Sequence, residues 1–369
     1  MKQKRIAILS PAAWRTPPRT YGAWETVASN ITEGLVERGW DVTLFATRDS
    51  ITKAKLEAVI EKGYEEDKSV NPDVYRSLHI SHLFEKADEF DLIHNHYDFF
   101  PLTYSRLVST PMLTTIHGFS SPTIMPVYQK YKDSYFVSIS DADRAPGLNY
   151  LATVYNGIRL ADFTFYEKGG ENLIFLGRIH PDKGVDLAIA VAQRSRRPLI
   201  IAGIIQDKDY FKQKVKPFID SKLIKFIGPV GPKERNELFK DAYALLHLNT
   251  IPERFGLVLV EAMACGVPVI AMDLGSCREV ILDGKTGILI RPVKSAKGGI
   301  RRGELFNRVK VVNEAVAALD KIPFISREEC RKRVEKFFTV ECMVEKYEKV
   351  YEKIFTLHAS RSRLHANKE

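Results

Sequence analysis

Residues 252–272 read PERFGLVLVEAMACGVPVIAM. Gly256 favours a helix that begins near Leu257, Gly266 favours its end, and the last apolar run is typical of a buried strand. Glu261 interrupts the run, so the stretch is not the ~18 consecutive apolar residues that a membrane-spanning helix needs. The segment therefore predicts a helix, a turn and a strand, the repeating unit of an α/β fold.

The same alternation extends over most of the chain. A helix is predicted over Glu25–Arg38, and Asn71-Pro72 resembles a helix cap followed by proline at the first helical position. Short apolar runs predict strands at Arg5–Ser10, Asp41–Thr47, Asp91–His96, Met112–His117, Tyr135–Ser140, Asn172–Gly177, Pro198–Gly203, Ile224–Gly228, Ala244–Asn249 and Pro268–Met272.

Strands that alternate with helices form parallel sheets covered on both faces. We therefore expect two Rossmann-like domains that face each other across a cleft, residues 1–156 and residues 157–340. The final helix, about 341–357, is expected to pack back on the first domain. Ligands of such sheets bind at the carboxyl ends of the strands, so the loops that follow strands are where chemistry is expected.

Composition agrees with a globular, two-domain protein. The chain has 369 residues, of which 45% are hydrophobic and 27% are charged. A net charge of +9 suits an acidic ligand, an anionic membrane or a nucleic acid, and equally an ordinary solvated basic surface, which charge alone favours. No RNA-binding or zinc-finger signature supports a nucleic-acid partner.

Three features bear on localisation. The four cysteines include no Cys-x-x-Cys pair, which argues against a zinc site and is typical of a reducing compartment. The run Ile6–Leu9 is too short for a signal peptide. The basic, glycine-containing segment Val293–Lys310 is too polar for a core element and predicts a surface loop, with weak contact to an anionic membrane as the alternative. A cytoplasmic or peripheral membrane protein is therefore expected.

Two glutamates stand out at the start of the quoted stretch. Glu253 precedes the predicted helix, and Gly256 leaves the first helical amides without a side-chain cap, which suits an anion or sugar hydroxyls. Glu261 lies two turns inside an otherwise apolar helix, where a charge needs a partner. That partner is either a ligand such as a ribose or, as the structural alternative, an arginine or a backbone amide.

A second cluster is the sequence GRIHPDKG, residues 177–184. Arg178 and Lys183 follow a predicted strand and enter a helix, where cations oppose the helix dipole. They are either two solvated cations or, as we favour, the partners of an anion such as a diphosphate leaving group. No Gly-x-Gly-x-x-Gly follows the first strand and no P-loop occurs, so dinucleotide redox chemistry and ATP hydrolysis lose their main support.

Taken together, these motifs resemble the family 4 retaining glycosyltransferases, over nearly the whole chain up to about Pro292. The resemblance rests on the two clusters above together with TIHG at 115–118, DLIHNH at 91–96 and Asn156-Gly157-Ile158. It is greatest with the subgroup that includes a UDP-glucose-dependent tetrahydrobiopterin glucosyltransferase. It implies the GT-B fold and the retaining transfer of a hexosyl group from a nucleotide-diphosphate sugar.

The resemblance also implies roles for individual residues. The catalytic residues would be His117 and Glu253, both at the donor sugar, although His117 is equally well explained as a hydrogen-bonded histidine at a strand end. Glu261 would bind the ribose. The remaining donor contacts would come from Gly22, Arg178, Lys183 and the amides of Phe255, Gly256 and Leu257. No metal and no cofactor are implied, since the cations stand where a metal would otherwise be; the donor is expected to be UDP-glucose.

The N-terminal loop departs from the family pattern. Many members have two glycines before the helix glutamate, whereas this chain has Gly22-Ala23-Trp24-Glu25, so Trp24 is expected to reshape the acceptor site. The neighbouring loops contain several aromatic residues, whose faces suit a sugar or a flat acceptor; packing between the domains is the alternative interpretation. These aromatic residues are Trp14, Tyr21, Trp24, Tyr97, Phe99, Phe100 and Phe119.

The sequence therefore predicts a metal-independent glycosyltransferase whose partners are a nucleotide sugar and a small-molecule or glycan acceptor. A phosphorylase or a nucleotide-sugar epimerase of the same fold is the nearest rival. A non-catalytic basic protein that binds anions is the rival from another class, and it would not require Glu253 or Glu261.

Overall fold

The computed structural model describes residues 4–118, 121–292 and 307–366, with backbone alone for 361–366. The described residues form two compact units. The first comprises the chain up to Gly157 and from Thr339 onward, and the second comprises Ile158–Phe338. Phe119 and most of the basic segment Val293–Lys310 lie outside the described residues. The last three residues of that segment are helical, not the loop that the sequence predicts.

A seven-stranded parallel sheet forms the first unit, in the order β3-β2-β1-β4-β5-β6-β7. Its central strand β1 pairs with β2 on one side and β4 on the other, so that Ile6 lies beside both Val42 and Leu92. The strands are β1 (Arg5–Leu9), β2 (Asp41–Phe45), β3 (Lys55–Glu57), β4 (Leu92–Asn95), β5 (Met112–Ile116), β6 (Tyr135–Ser138) and β7 (Tyr150–Thr153).

The second unit repeats this arrangement with six parallel strands in the order β10-β9-β8-β11-β12-β13. Chain order reverses beside the first strand of each sheet, at β1/β4 and at β8/β11, which is the Rossmann pattern. The strands are β8 (Asn172–Leu176), β9 (Leu199–Ala202), β10 (Ile224–Gly228), β11 (Ala242–His247), β12 (Val269–Met272) and β13 (Gly287–Ile290).

Helices cover the sheets of both units. They are α1 (Ala23–Glu37), α2 (Pro72–Glu85), α3 (Met125–Lys130), α4 (Val185–Ser195), α5 (Lys208–Tyr210), α6 (Pro232–Lys240), α7 (Leu257–Ala264), α8 (Cys277–Val280), α9 (Arg308–Leu319), α10 (Arg327–Phe337) and α11 (Val340–Ala366). The last helix belongs to the first unit, where it packs against α1. It continues through the tail from His358, which the sequence predicts to be frayed.

Local signals in the sequence explain several of these boundaries. The predicted cap at Asn71 is confirmed, because its side-chain oxygen accepts hydrogen bonds from the amides of Asp73 and Val74. The predicted helix–turn–strand unit is confirmed as α7, Gly266 and β12. The short strands β3, β7 and β13 are not among the predicted runs. No helix among the described residues combines the length and the apolar character that a membrane crossing requires.

Candidate functional site

The two predicted charged clusters lie next to each other in the second unit. The loop that carries Arg178 and Lys183 follows β8, and the loop that carries Glu253 follows β11; β8 and β11 are adjacent and flank the point where strand order reverses. Loops that follow strands at such a point form the ligand-binding crevice of an open α/β sheet. The sheet order thus brings together residues about 70 positions apart at the edge where chemistry is expected.

Gly184 allows the two loops to approach closely. Its φ is +66°, and a Cβ atom there would lie 2.1 Å from the carbonyl oxygen of Leu248. A side chain cannot be accommodated at that distance, and the left-handed backbone also favours glycine. The glycine that follows Lys183 in the sequence motif therefore holds Lys183 against the loop after β11.

Glu253 is the centre of the resulting cluster. Its Oε2 atom accepts hydrogen bonds from Lys183 Nζ at 2.8 Å, from His247 Nε2 at 3.0 Å and from Asn249 Nδ2 at 2.6 Å. Its Oε1 atom accepts the backbone amide of Arg254 at 3.0 Å. The carboxylate is only 12% exposed, so four donors hold a nearly buried anion in one orientation.

The electrostatics keep this carboxylate ionised. Burial acts to raise the pKa of Glu253, but the charge of Lys183 and the hydrogen bonds from Lys183 and His247 outweigh it and hold the pKa well below its ordinary value. Burial lowers the pKa of His247 despite the neighbouring carboxylate. His247 is therefore neutral near pH 7, and it must carry its proton on Nε2 in order to donate to Glu253.

The helix that follows has the predicted uncapped start. Gly256 occupies the N-cap position with φ +85°, and no side chain among the described residues caps α7. The first helical amides of α7, beginning with Leu257, are thus available for an anion or for hydroxyl groups. Phe255 is buried against Phe338, so it anchors this turn and contributes only its backbone to the site.

Glu261 finds its partner within the protein. It is 6% exposed, and its carboxylate forms an ion pair with Arg235 of α6. The structural alternative stated from the sequence, an arginine, is therefore what the structure contains. An ion pair leaves further lone pairs on the carboxylate, so the contact with Arg235 is compatible with an additional hydroxyl partner.

The two predicted cations also have protein partners. Arg178 donates to the side-chain oxygen of Gln206, and Lys183 is paired with Glu253 as described. The sequence argument favoured an external anion between Arg178 and Lys183. In this structure Glu253 supplies the negative charge beside Lys183, and the binding of a diphosphate by the two cations stays a prediction.

In the first unit, His117 follows β5 and is almost fully buried. Trp24 stacks on its imidazole ring with centroids 5.6 Å apart and an angle of 21° between the planes. His117 Nε2 lies 2.9 Å from Nδ1 of His96, and burial lowers the pKa of His117 to about 3. The residue is thus a neutral, hydrogen-bonded histidine, and Trp24, which departs from the family pattern, packs directly against it.

Gly22 and Glu25 shape the start of α1. Gly22 is the N-cap residue with φ +148°, and a Cβ atom there would lie 2.9 Å from Oε2 of Glu25. Glu25 is 3% exposed, and burial raises its pKa to about 8, although its own amide and that of Trp14 donate to it. A carboxyl group therefore lies directly beneath the glycine that was predicted to approach the donor.

The predicted aromatic group does not form one exposed surface. Tyr97 is 3% exposed and belongs to the hydrophobic core of the first unit, against which Phe99 and Phe100 pack. Trp14 and Tyr21 form a separate edge-to-face pair. The prediction that Tyr97 offers its face to an acceptor is therefore wrong, because its ring closes the core beneath the loop.

Sequence reasoning missed His247 and Asn249. Both lie at the end of β11, and each donates to Glu253. The available signal was their position at the end of the predicted strand Ala244–Asn249, within seven residues of Glu253. Among the described residues, no three His, Cys, Asp or Glu side chains are grouped so that they could share a metal ion.

Comparison with known proteins identifies the fold and two glycosyltransferase families that match parts of the chain. A crystal structure of Anabaena HepE in complex with UDP and glucose superposes with a TM-score of 0.70 at 20% identity, over 95% of this chain and 100% of that one. Residues 24–158 match the family described as Glycosyltransferase Family 4, and residues 162–302 match the family described as Glycosyl transferases group 1. Two successive parts of the chain thus match two glycosyltransferase families. The GT-B fold implied by the sequence resemblance is confirmed.

Curated proteins that are similar to this chain include enzymes with different names. The glycogen synthase of Mycobacterium tuberculosis is 31% identical over 156 residues, which is 40% of this chain and 37% of that protein. The O-antigen chain mannosyltransferase C of Escherichia coli is 23% identical, over 90% of this chain and 95% of that protein. The match to the glycogen synthase thus spans little more than a third of its length, whereas the more distant mannosyltransferase matches almost end to end.

Proposed function

We propose that this protein transfers a glucosyl group from UDP-glucose to a hydroxyl acceptor, with retention of the anomeric configuration. The observation that carries the proposal is the Glu253 cluster at the point where strand order reverses in the second unit. Lys183, His247 and Asn249 orient a nearly buried carboxylate beside the uncapped start of α7. An anionic acceptor next to free helical amides suits a ligand that has both hydroxyl groups and phosphates.

Lys183 and Arg178 would bind the diphosphate. Without donor, Lys183 is held by Glu253, so binding of a diphosphate requires Lys183 to shift part of its interaction to the phosphate oxygens. His247 and Asn249 would keep Glu253 hydrogen-bonded during that exchange. Charge develops on the diphosphate as the sugar leaves, and fixed cations stabilise that charge most in the transition state.

Glu253 would accept hydrogen bonds from hydroxyl groups of the donor sugar, and the amides of residues 255–257 would donate hydrogen bonds to sugar oxygens. Glu261 would bind the ribose hydroxyls while it keeps its pair with Arg235. His117 and the loop at Gly22 would complete the donor contacts from the first unit. These assignments follow the resemblance to family 4 enzymes, and the burial and ionisation of Glu253 support them.

The chemical step needs no protein nucleophile in this proposal. The acceptor oxygen would bond to the anomeric carbon on the face from which the diphosphate departs, while the bond between that carbon and the diphosphate oxygen breaks. The proton of the acceptor would pass to the leaving phosphate oxygen. The protein supplies charge stabilisation and positioning, and no step is assigned to a metal ion.

Comparisons support UDP-glucose as the first donor to test. Crystal structures of Anabaena HepE, which shares the fold, contain UDP, UDP-glucose, or UDP and glucose. The similarity to a mannosyltransferase makes a nucleotide-linked mannose the second donor to test. For the acceptor, the sequence resemblance to a tetrahydrobiopterin glucosyltransferase places a reduced pterin first in an acceptor panel.

Nucleotide binding followed by turnover tests the proposal. UDP at 100 times its dissociation constant should stabilise the protein by about 2.7 kcal/mol in thermal unfolding, and UDP-glucose should yield UDP faster when an acceptor is present. Stabilisation by no nucleoside diphosphate would refute the donor site. Transfer that requires inorganic phosphate would favour a phosphorylase, and a changed sugar still attached to its nucleotide would favour an epimerase.

A further inference from the structure

The ion pair between Arg235 and Glu261 joins two helices of the second unit. The helix α6 follows the edge strand β10 and α7 follows β11, so both helices begin near the edge of the parallel sheet where its strands end. Arg235 is the fourth residue of α6 and Glu261 is the fifth residue of α7. Both side chains therefore belong to the first two turns of their helices, close to the edge at which a ligand of such a sheet binds.

Arg235 is the group that holds the carboxylate of Glu261. Every other residue of α7 is apolar, so the helix itself offers this carboxylate no side-chain partner. Its Oε1 atom accepts a hydrogen bond from Nη1 of Arg235, and the side chains of Glu261 and Arg235 are only 7% and 19% exposed. Glu261 makes no other side-chain hydrogen bond within the described part of the chain.

The second oxygen of this carboxylate is open to solvent. Oε2 has no hydrogen-bond partner among the described residues, yet it is not one of the fully buried polar atoms that lack a partner. It must therefore retain contact with solvent, although the side chain as a whole is nearly buried. Because folding has already removed most of the water around this carboxylate, a hydroxyl group that reaches Oε2 forms its hydrogen bond at a small further desolvation cost.

Two neighbouring hydroxyl groups fit this arrangement. An ionised carboxylate has about four lone-pair sites, so Oε2 and the remaining lone pair of Oε1 can each accept from one hydroxyl group. A ribose presents such a pair at its 2′ and 3′ positions, whereas a 2′-deoxyribose lacks one of the two. Because Arg235 anchors Oε1, the carboxylate cannot turn away from the pair.

We propose that Arg235 is a positioning residue that holds Glu261 in the orientation in which its carboxylate binds the 2′-hydroxyl group of the donor ribose, so that the site selects ribonucleotides over 2′-deoxyribonucleotides. The inference rests on the proposed function, in which Glu261 binds the ribose. It makes α6 part of the nucleotide site, although this helix contains none of the sequence motifs. The ion pair then does more than attach α6 to α7.

Calorimetric titration with UDP and with 2′-deoxy-UDP tests the inference without any need for turnover. The wild-type protein should bind UDP at least about tenfold more tightly than 2′-deoxy-UDP, since a hydrogen bond to a charged group is lost with the 2′-hydroxyl. Glu261→Gln and Arg235→Gln should each reduce this preference to about threefold or less. Retention of the wild-type preference in Arg235→Gln, with its loss in Glu261→Gln, would overturn the role of Arg235.

The double variant Arg235→Gln/Glu261→Gln shows whether Arg235 acts through Glu261. If it does, the double variant should have the same preference as Glu261→Gln alone. A further loss of preference would show that Arg235 contacts the ribose itself, which would overturn the proposal. The double variant also lacks the uncompensated buried carboxylate that destabilises Arg235→Gln, so this comparison does not depend on the folding of the single variant.

Arg235→Lys keeps the charge next to Glu261 and is the second variant that retains a compensated carboxylate. Its ammonium group has no planar fork of donors and ends a shorter side chain, so it should not hold Oε1 in the same orientation. Its preference for UDP should lie between those of the wild-type protein and Glu261→Gln. An unchanged preference would show that charge alone, and not orientation by the guanidinium, is what Glu261 requires, and the proposal would fail.

Arg331→Gln is the matched control. Arg331 of α10 donates to the carbonyl oxygens of Phe163 and Ala264, so it attaches the end of α7 to its surroundings without contacting Glu261. Its replacement should lower the stability of the protein and leave the preference for UDP unchanged. A loss of preference as large as that in Arg235→Gln would show that packing of α7, and not the guanidinium of Arg235, positions Glu261, which would also refute the proposal.

Turnover separates this inference from the proposed function. The ribose does not change during the reaction, so Arg235→Gln should raise KM for UDP-glucose and leave kcat within about twofold; a fall in kcat at unchanged KM would contradict a role in binding. Equal affinity of the wild-type protein for UDP and 2′-deoxy-UDP would overturn the inference, while transfer from UDP-glucose would still support the proposed function. Failure to bind any nucleoside diphosphate would refute the proposed function itself.

Discussion

Replacement of Glu253 by glutamine separates its role in the reaction from any role in nucleotide binding. The substitution conserves size and removes the charge. One carboxylate oxygen becomes an NH2 group, which cannot accept hydrogen bonds. The amide oxygen is expected to remain with Lys183, His247 and Asn249, so the NH2 group must then face the backbone amide of Arg254.

The cost to stability can be worked out from these contacts. Charge-assisted hydrogen bonds contribute about 1.5–3 kcal/mol and neutral ones about 0.5–1.5 kcal/mol. The pair between Lys183 and Glu253 is 18% and 12% exposed, and loss of one charge from a largely buried pair costs about 3–5 kcal/mol. With one oxygen still present as an acceptor, we expect Glu253→Gln to be destabilised by about 3 kcal/mol.

This difference should depend on pH in one direction. The folded-state pKa of Glu253 is held below its unfolded value, so its contribution to stability is present above the unfolded pKa and is lost as the pH falls through the folded pKa. The stability gap between the wild-type protein and Glu253→Gln should therefore be largest near neutral pH and shrink in acid.

Glu253→Gln should lower kcat without lowering the affinity for UDP. If Glu253 contacts the sugar and that contact strengthens in the transition state, loss of one charge-assisted hydrogen bond lowers kcat by about 10- to 150-fold. Free UDP has no glucosyl group, so the proposed contact between Glu253 and the transferred sugar does not contribute to its binding. In the variant, Lys183 is also no longer paired with a carboxylate. UDP affinity should therefore be at least as high as in the wild-type protein.

Three measurements on the same preparation decide the matter: urea unfolding, UDP affinity by calorimetry, and the initial rate of UDP release from UDP-glucose. Glu314→Gln is the control: Glu314 lies on the surface of α9 in a partly exposed ion pair with Lys310 at 3.9 Å, and its loss should change stability by less than about 0.5 kcal/mol. Loss of UDP binding in Glu253→Gln with normal binding in Glu261→Gln would reverse the two assigned roles. Unchanged rate and binding in both variants would remove the donor site from this loop.

Three further predictions follow from other parts of the site. Glu261→Gln should weaken UDP binding by about 1–3 kcal/mol in calorimetry, because a ribose partner is lost while Arg235 keeps an amide oxygen; undiminished affinity would argue against the ribose contact. Turnover should survive EDTA, and activity that EDTA abolishes and manganese restores would show that Arg178 and Lys183 do not provide the charge for the diphosphate. For Glu25, whose pKa is raised to about 8, the unfolded chain releases its proton at lower pH than the folded one, so this group opposes folding by about 1.4 kcal/mol per pH unit between about 4.5 and 8. Glu25→Gln should therefore gain stability relative to the wild-type protein as the pH rises through that window in urea unfolding, and a constant difference would refute the raised pKa.

The sequence by itself determined the fold class and predicted which loops carry the chemistry. Alternating apolar runs and amphipathic stretches carry the periodicities of strands and helices, and glycines mark where the elements end. Ten of the observed strands coincide with the predicted runs to within two residues at each end. The motifs around Lys183 and Glu253 were recognisable because the constraints on them are local: a glycine turn and an uncapped helix start.

The short strands at the edges of the two sheets could not be predicted from local apolar patterns. The three residues of β3, for example, have no apolar pattern of their own and become a strand only because β2 offers a partner. Their formation depends on hydrogen bonds to a neighbour and not on local propensity.

Only the tertiary structure decided which polar side chains contact each other. Lys183 and Glu253 are 70 positions apart, Arg235 and Glu261 are 26 apart, and His94 and Tyr351 are 257 apart. Each pairing depends on strand order and register, and for Tyr351 on the return of the last helix to the first unit. Strand order and register are set by the burial of whole surfaces, and no short segment of the sequence encodes them. The sequence therefore indicated that the buried charge of Glu261 needs a partner, but it did not identify Arg235 as that partner.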